Sequence, residues 1–212
     1  MKSRKIGIMG GTFNPIHCGH LMLAEWAMDF ATLDEVWVIP TGYSYKKQAT
    51  EVVSAVHRYE MCLLATAGNP RMKVLDLEMR REGYTYSYET FEQLSVQFPE
   101  DHFYFIFGAD CLFSLETWKY PERIFAKCDG IAAIRNDSMW EEMEQKAKEL
   151  EERFHAGILL MPFVRMELSS TQIRNRVAEG RSIRYLVPDA VNSYILEKRL
   201  YRDENNRDEK DT

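Results

Sequence analysis

The chain has 212 residues, of which 45% are hydrophobic and 28% are charged, so it can bury a full core as one domain. Its formal net charge of -6 argues against the broad basic surface that unspecific binding to nucleic acid or anionic lipid requires. No stretch approaches the roughly 18 apolar residues of a membrane span, and the N-terminus has no signal-peptide pattern. We therefore expect a cytoplasmic protein that binds neither nucleic acid nor membrane.

Short apolar runs alternate along the chain with segments of helical periodicity. The predicted strands are residues 5–9, 35–40, 72–79, 102–107, 130–134 and 157–163. The predicted helices cover 20–31, 55–67, 87–98, 121–128 and 138–154, followed by two that begin near Ser169 and Pro188. This alternation predicts an α/β fold, Rossmann-like and doubly wound, with a mostly parallel sheet and helices on both faces. Ligands bind such sheets outside the carboxyl ends of the strands, where the strand order reverses.

One domain is expected over residues 1–200, followed by a charged tail, 201–212, whose composition predicts disorder. The charged helix at 138–154 is too short for several coiled-coil heptads, which favours one buried stripe and a solvated face. The four cysteines are widely spaced and form no CxxC pair, so we expect reduced, mostly buried thiols. They are Cys18, Cys62, Cys111 and Cys128.

The segment GGTFNPIHCGH joins the first predicted strand to the first predicted helix. Gly10 and Gly11 allow a tight turn and a close approach of backbone to ligand, and the helix N-terminus offers N–H donors for phosphate. His17 and His20 can project from one face and donate to phosphate oxygens. Two other interpretations are a zinc site that adds Cys18, and histidines that only cap or pack. The pattern is neither GxGxxG nor GxxxxGK[ST].

A second constellation, LSSTQIRNR, lies near the C-terminus. Hydroxyls at a helix entrance, with an arginine about one turn further on, form an anion cradle. The alternative is an ordinary N-cap with a solvated arginine. The residues concerned are Ser169, Ser170, Thr171 and Arg174.

Together, GTFNPIHCGH and SSTQIR resemble the paired signatures GxFxxxHxGH and SxTxxR of the nucleotidyltransferase superfamily. Two further segments, FGADCLFSLETW and TYSYETFEQL, resemble the GAD–LxxW and SYTxDTL elements of bacterial nicotinate-nucleotide adenylyltransferases. The resemblance extends from residue 4 to about 200, so it implies one nucleotidyltransferase domain. Where the family usually has PxHK, this chain has SYKK, with Lys46 at the histidine position and Lys47 at the lysine position.

The resemblance implies transfer of AMP from ATP to nicotinate mononucleotide, which gives deamido-NAD and pyrophosphate. It implies catalytic roles for His17, His20, Lys47 and Arg174. It assigns ATP to Gly10, Gly11, Thr12, Phe13, Gly108, Asp110, Ser169, Ser170 and Thr171, and the acceptor to Asn14, Thr85, Tyr86, Ser87 and Trp118. From sequence alone, Trp118 is almost as readily a core residue. Mg²⁺ is expected on the triphosphate, where phosphate oxygens and water would hold it, since no dedicated carboxylate cage is evident in the sequence.

Several other functions stay open at this point. They are a dual nicotinate and nicotinamide mononucleotide adenylyltransferase, a transferase for phosphopantetheine or CDP-alcohols, and a nucleotide-binding regulator without turnover. A class I aminoacyl-tRNA synthetase fragment also uses an HxGH element, but a short acidic chain disfavours it. The sequence is compatible with a homo-oligomer.

Overall fold

The computed structural model describes residues 3–42, 52–134, 140–164 and 167–202. Its strands are β1 Lys5–Gly11, β2 Glu35–Pro40, β3 Met72–Val74, β4 His102–Gly108, β5 Cys128–Ile134 and β6 Ile158–Pro162. Its helices are α1 Cys18–Phe30, α2 Ala55–Thr66, α3 Ser87–Gln97, α4 Ala109–Ser114, α5 Pro121–Phe125, α6 Trp140–Phe154, α7 Ser170–Ala178 and α8 Asp189–Glu197.

The six strands form one parallel sheet in the order β3-β2-β1-β4-β5-β6. The chain builds outward from β1 in one direction and then returns to β4 on the other side, where Ile8 pairs with Phe105. The strand order therefore reverses between β1 and β4, and the crevice at their carboxyl ends is the expected ligand site. The predicted α/β, doubly wound architecture is confirmed.

Successive side chains of each strand enter separate cores on the two faces of the sheet. On β2, Val36 and Val38 pack into one core, whereas Trp37 and Ile39 pack into the other. The buried stripes of α1, α2, α7 and α8 cover the first face, and those of α3 to α6 cover the second. Both faces are apolar, which explains why the strands are near-continuous hydrophobic runs in the sequence.

Several local features differ from the sequence prediction. The helix predicted over residues 121–128 ends at Phe125, and Cys128 is the first residue of β5. The third strand ends at Val74 rather than continuing to residue 79, because it lies at the sheet edge and the chain then turns. In that turn, Asp76 O accepts hydrogen bonds from the amides of Met79 and Arg80. The short helix Ala109–Ser114 follows β4 directly, and the sequence analysis assigned no helix there.

In the described part of the chain, no helix is both long and apolar enough to cross a membrane. The four cysteines lie in the described part of the chain as free thiols, with Cys62 and Cys128 buried and the other two half-buried.

Candidate active site

The turn after β1, residues 10–13 and called the glycine turn below, lies at the carboxyl edge of the sheet. The Thr41 amide donates to Gly11 O over 2.9 Å, which ties this turn to the end of β2. Phe13 adopts a left-handed backbone conformation with φ 47°. A Cβ added to Gly10 would meet no atom within 4 Å, so the space beside this residue is open to a ligand.

The two histidines of the motif form a stacked pair at the start of α1. Their ring centroids are 3.7 Å apart with 22° between the planes, and the edge of Phe13 contacts the second ring. His17 is buried and His20 is half-buried. The His17 amide donates to His20 Nδ1 over 3.2 Å. Because Nδ1 accepts this bond, the neutral ring of His20 carries its proton on Nε2, which makes Nε2 the donor atom of the ring.

The N-terminus of α7 packs against the segment that links the glycine turn to this histidine pair. Ser170 Oγ donates to Pro15 O over 2.8 Å, and Arg174 Nη1 donates to Asn14 O over 3.1 Å. Arg174 Nη2 also donates to Thr171 Oγ1 over 3.3 Å. The two motifs, about 155 positions apart in the sequence, are therefore in direct contact in the structure.

Ser169 has the predicted place at the entrance of this helix. It is the N-cap of α7, and its hydroxyl accepts a bond from the Gln172 amide over 3.2 Å. Gln172 returns a contact to the Ser169 amide, which completes a capping box. Ser169 and Thr171 are exposed, so their polar groups lie at the surface that a phosphate would approach.

Three of the five predicted acceptor residues lie at the start of α3. Tyr86 is its N-cap, Ser87 is its first residue, and Thr85 is buried just before it. The Thr85 hydroxyl bonds to the carboxyl of Glu78, which also accepts from Thr90 Oγ1 over 2.7 Å. Burial raises the pKa of Glu78, while these two hydroxyls and a nearby arginine charge act to lower it.

The aromatic platform predicted at Trp118 is half-buried. Its ring packs against Phe105 with centroids 5.8 Å apart, and its Nε1 donates to Ser114 Oγ over 3.4 Å. The adjacent Lys119 places Nζ 4.0 Å above the ring of Tyr86. The segment after α4 therefore contacts the N-terminus of α3.

Two more residues predicted to bind ATP lie at the carboxyl end of β4, the neighbour of β1 in the sheet. Gly108 ends this strand as the N-cap of α4, and Asp110 lies exposed in the first turn of that helix. Both therefore lie on the same edge of the sheet as the glycine turn. Lys47 lies outside the described residues. Within the described ranges, no group of three or more His, Cys, Asp or Glu residues could hold a metal ion.

Sequence reasoning missed three side chains that support this site, namely Arg58, Glu78 and Tyr201. Arg58 donates to the carbonyls of Thr12 and Gly42, and Tyr201 donates from its hydroxyl to Asn14 Oδ1. Only Arg58 had a sequence signal, since it occupies the apolar stripe of α2 where a charge is unexpected.

A parallel sheet with a glycine turn, stacked histidines and a helix N-terminus at its switch point defines an α/β protein built to hold nucleoside phosphates. A family model described as cytidylyltransferase-like matches residues 8–176. A "Probable nicotinate-nucleotide adenylyltransferase" of Lachnoclostridium phytofermentans is 46% identical over 93% of this chain and 99% of its own. A protein of the same name from Exiguobacterium sibiricum is 41% identical over 93% and 98%. The chain belongs to the nicotinate-nucleotide adenylyltransferase family.

A solved structure has the same fold at much lower sequence identity. It is the nicotinic acid mononucleotide adenylyltransferase of Plasmodium falciparum in complex with NaAD, with a TM-score of 0.77 and 20% identity. The alignment covers 93% of this chain and 97% of that one.

Proposed function

We propose that this protein is an enzyme that transfers AMP from ATP to nicotinate mononucleotide, releasing pyrophosphate and forming deamido-NAD. The observation that carries the proposal is the docking of Ser170 and Arg174 onto the segment between the glycine turn and the histidine pair. This contact supports a single phosphate-binding site that contains residues of both motifs. The named relatives, at up to 46% identity over nearly the whole chain, support the same activity.

In this reaction a phosphate oxygen of nicotinate mononucleotide attacks the α-phosphorus of ATP. The bond from that phosphorus to the bridging oxygen of the β-phosphate breaks, and pyrophosphate leaves with the electron pair. The attacking group is already an anion, so the protein has no proton to remove from it. Catalysis then depends on holding the reactants in line and stabilising the charge that develops on the phosphates.

The chain's own groups suit that task. The backbone of residues 10–13 binds ATP, while Nε2 of His20 donates to the α-phosphate or the leaving group, beside His17. Arg174, Ser169, Ser170 and Thr171 hold the outer phosphates, with Lys47 as a further cation. Gly108 and Asp110 bind the nucleoside, and Asp110 accepts a bond from the ribose.

Magnesium enters this proposal with the triphosphate. The described residues hold no cluster of carboxylates that could serve as a protein cage, so phosphate oxygens and water supply most of the ligands. The metal neutralises charge on the phosphates when it is bound. We further propose that the enzyme acts in the cytoplasm. Assembly into a homo-oligomer is compatible with this proposal.

The acceptor lies at the start of α3. The backbone N–H groups of Thr85, Tyr86 and Ser87 receive the carboxylate of the pyridine ring, and the ring stacks on Trp118. Asn14 contacts the acceptor from the other side of the crevice. Helix N-termini favour anions through their N–H donors and dipole, so the acid is the matched substrate.

The test is pyrophosphate release from ATP and Mg²⁺ with a panel of acceptors, followed by mass identification of the product. Nicotinate mononucleotide should be used fastest and yield deamido-NAD. Equal use of nicotinamide mononucleotide would indicate a dual-specificity enzyme, and use of phosphopantetheine would indicate a different transferase. ATP binding without pyrophosphate release for every acceptor would contradict the proposal and indicate a nucleotide-binding regulator.

A further inference from the structure

Arg58 lies on the buried face of α2, and only 2% of it is exposed. Each of its three nitrogens donates to a different backbone carbonyl. Nη1 reaches Thr12 O at 2.8 Å, Nη2 reaches Gly42 O at 3.1 Å, and Nε reaches Val53 O at 3.2 Å. A buried guanidinium is tolerated only when its donors are satisfied, and here backbone carbonyls satisfy them.

The three carbonyls come from separate segments that meet at the candidate active site. Thr12 belongs to the glycine turn, Gly42 follows β2, and Val53 precedes α2. Among the described residues, no carboxylate forms an ion pair with Arg58. Burial lowers the pKa of its guanidinium, and the more distant charge of Glu78 acts to raise it. The Arg58 side chain therefore forms its hydrogen bonds with backbone carbonyls of the surrounding segments.

The contact with Thr12 fixes the direction of the next amide. The peptide between Thr12 and Phe13 is trans and planar, so the Phe13 N–H points opposite to the Thr12 carbonyl. Arg58 draws that carbonyl toward α2 and thereby turns the amide away from α2. Thr41 holds the Gly11 carbonyl in the same manner, which orients the Thr12 amide. Two successive N–H groups of the glycine turn are thus set by contacts outside the turn.

The contact with Gly42 links the same guanidinium to the acceptor end of the site. Gly42 packs so closely that an added Cβ would collide with the Glu78 carbonyl, and it would lie 3.2 Å from Thr85 Cγ2. Thr85 is one of the proposed acceptor residues. This second link depends on one packing contact, whereas the link to Thr12 is a direct hydrogen bond.

We propose that Arg58 is a positioning residue for ATP, because it holds the Thr12 and Gly42 carbonyls so that the glycine turn presents its amides to the triphosphate. The inference rests on the proposed function, since it takes the glycine turn as the ATP site. A lysine can replace this arginine only in part, because a single ammonium cannot reach three carbonyls in three segments at once.

The test compares Arg58→Met and Arg58→Lys with the wild type in pyrophosphate release, at a temperature well below each melting temperature. Arg58→Met should raise the KM for ATP about 10-fold or more, as expected for loss of hydrogen bonds from a charged group. The KM for nicotinate mononucleotide should change by no more than about 3-fold, because its link to Arg58 is indirect. Arg58→Lys should have a KM for ATP between those of the wild type and Arg58→Met.

Met61→Ala is the matched control, because Met61 is fully buried on the same face of α2 and, unlike Arg58, its side chain has no hydrogen-bond donor for the glycine turn. It should lower the melting temperature without changing the ratio of the two KM values. An unchanged ATP KM in Arg58→Lys, or an equal rise in both KM values, would assign Arg58 to the scaffold alone. If Arg58→Met does not fold, Arg58→Lys decides. An inactive wild type would instead contradict the proposed function.

Discussion

The hydroxyl of Tyr201 donates a 2.9 Å hydrogen bond to Oδ1 of Asn14, a residue 187 positions earlier in the chain. The same Asn14 oxygen accepts from the Val53 amide over 3.4 Å, so its side chain is held from two directions. Burial raises the pKa of Tyr201, against the opposing charges of Arg174 and Arg58, so the hydroxyl keeps its proton and acts as the donor.

We expect Tyr201→Phe to lower kcat/KM for nicotinate mononucleotide by about 3- to 10-fold, because a loosened Asn14 no longer aligns the acceptor. The loss of stability should be about 1 kcal/mol. Tyr194→Phe is the control, since this variant also removes one hydrogen bond, in this case between the Tyr194 hydroxyl and Nδ1 of His57 on α2. Equal kinetic losses in both variants would show that the contact only stabilises the fold.

His20→Ala should lower kcat about 100-fold or more with a smaller change in ATP binding, because its bond strengthens as charge moves to pyrophosphate. Steady-state rates and ATP titration give the two quantities. His102→Ala is the control, since that exposed histidine begins β4 at the opposite edge of the sheet. Near wild-type turnover in His20→Ala would show that the stacked pair only packs.

Sequence periodicity was sufficient to predict the sheet and most helices. Both faces of the sheet are covered by helices, so each apolar run in the sequence corresponds to a buried strand or to the buried face of a helix. Periodicity failed where tertiary contacts decide. The strand predicted through residue 79 ends at Val74, since Glu78 leaves the sheet edge to bond with Thr85 and Thr90.

The site was predictable to the extent that its groups occur in motifs. The histidine pair and the α7 entrance are contiguous patterns, and the structure places them together. Arg58 reaches Thr12 from 46 positions away and Tyr201 reaches Asn14 from 187 positions away, so no contiguous motif links either residue to the site. Tyr201 lies just beyond the predicted domain boundary at residue 200 and still packs against the site.

Arg174→Lys should reduce activity clearly while the melting temperature changes little. Nη1 of Arg174 donates to Asn14 O, and Nη2 donates to Thr171 Oγ1. The ammonium group of a lysine cannot reproduce this planar arrangement of donors or a bidentate contact with a phosphate. Arg176→Lys is the control on the same helix, where Nε bonds to Ser182 O. Full activity in Arg174→Lys would mean that fork geometry is unimportant, and a large drop in melting temperature would assign Arg174 to the scaffold.

Gly10→Ala should fold as well as the wild type and bind ATP poorly. The added Cβ meets no protein atom within 4 Å, so only a ligand can collide with it. We expect the KM for ATP to rise about 10-fold or more. Gly68→Ala, which also meets no atom within 4 Å but lies beyond α2, should leave ATP kinetics unchanged. An unchanged KM in Gly10→Ala would place the triphosphate elsewhere.

The acid, nicotinate mononucleotide, should be strongly preferred over the amide. Its carboxylate would meet the N-terminus of α3, where Tyr86 is the N-cap and Ser87 the first helical residue. Backbone N–H donors and the positive dipole end suit an anion there. A carboxamide has no charge and turns its own N–H donors toward other donors, so the discrimination comes from unmatched hydrogen bonds rather than size.

Sites of this kind can discriminate by about 10⁴, so the expected gap in kcat/KM between the two mononucleotides is large. The measurement is kcat/KM for each at saturating ATP and Mg²⁺. The Thr85 hydroxyl already bonds to Glu78, so Thr85→Val should lower stability while keeping most of the acid preference, which then rests on backbone donors. Comparable kcat/KM values in the wild type would contradict carboxylate recognition by α3. A preference for the amide would exclude that role for residues 85–87 altogether.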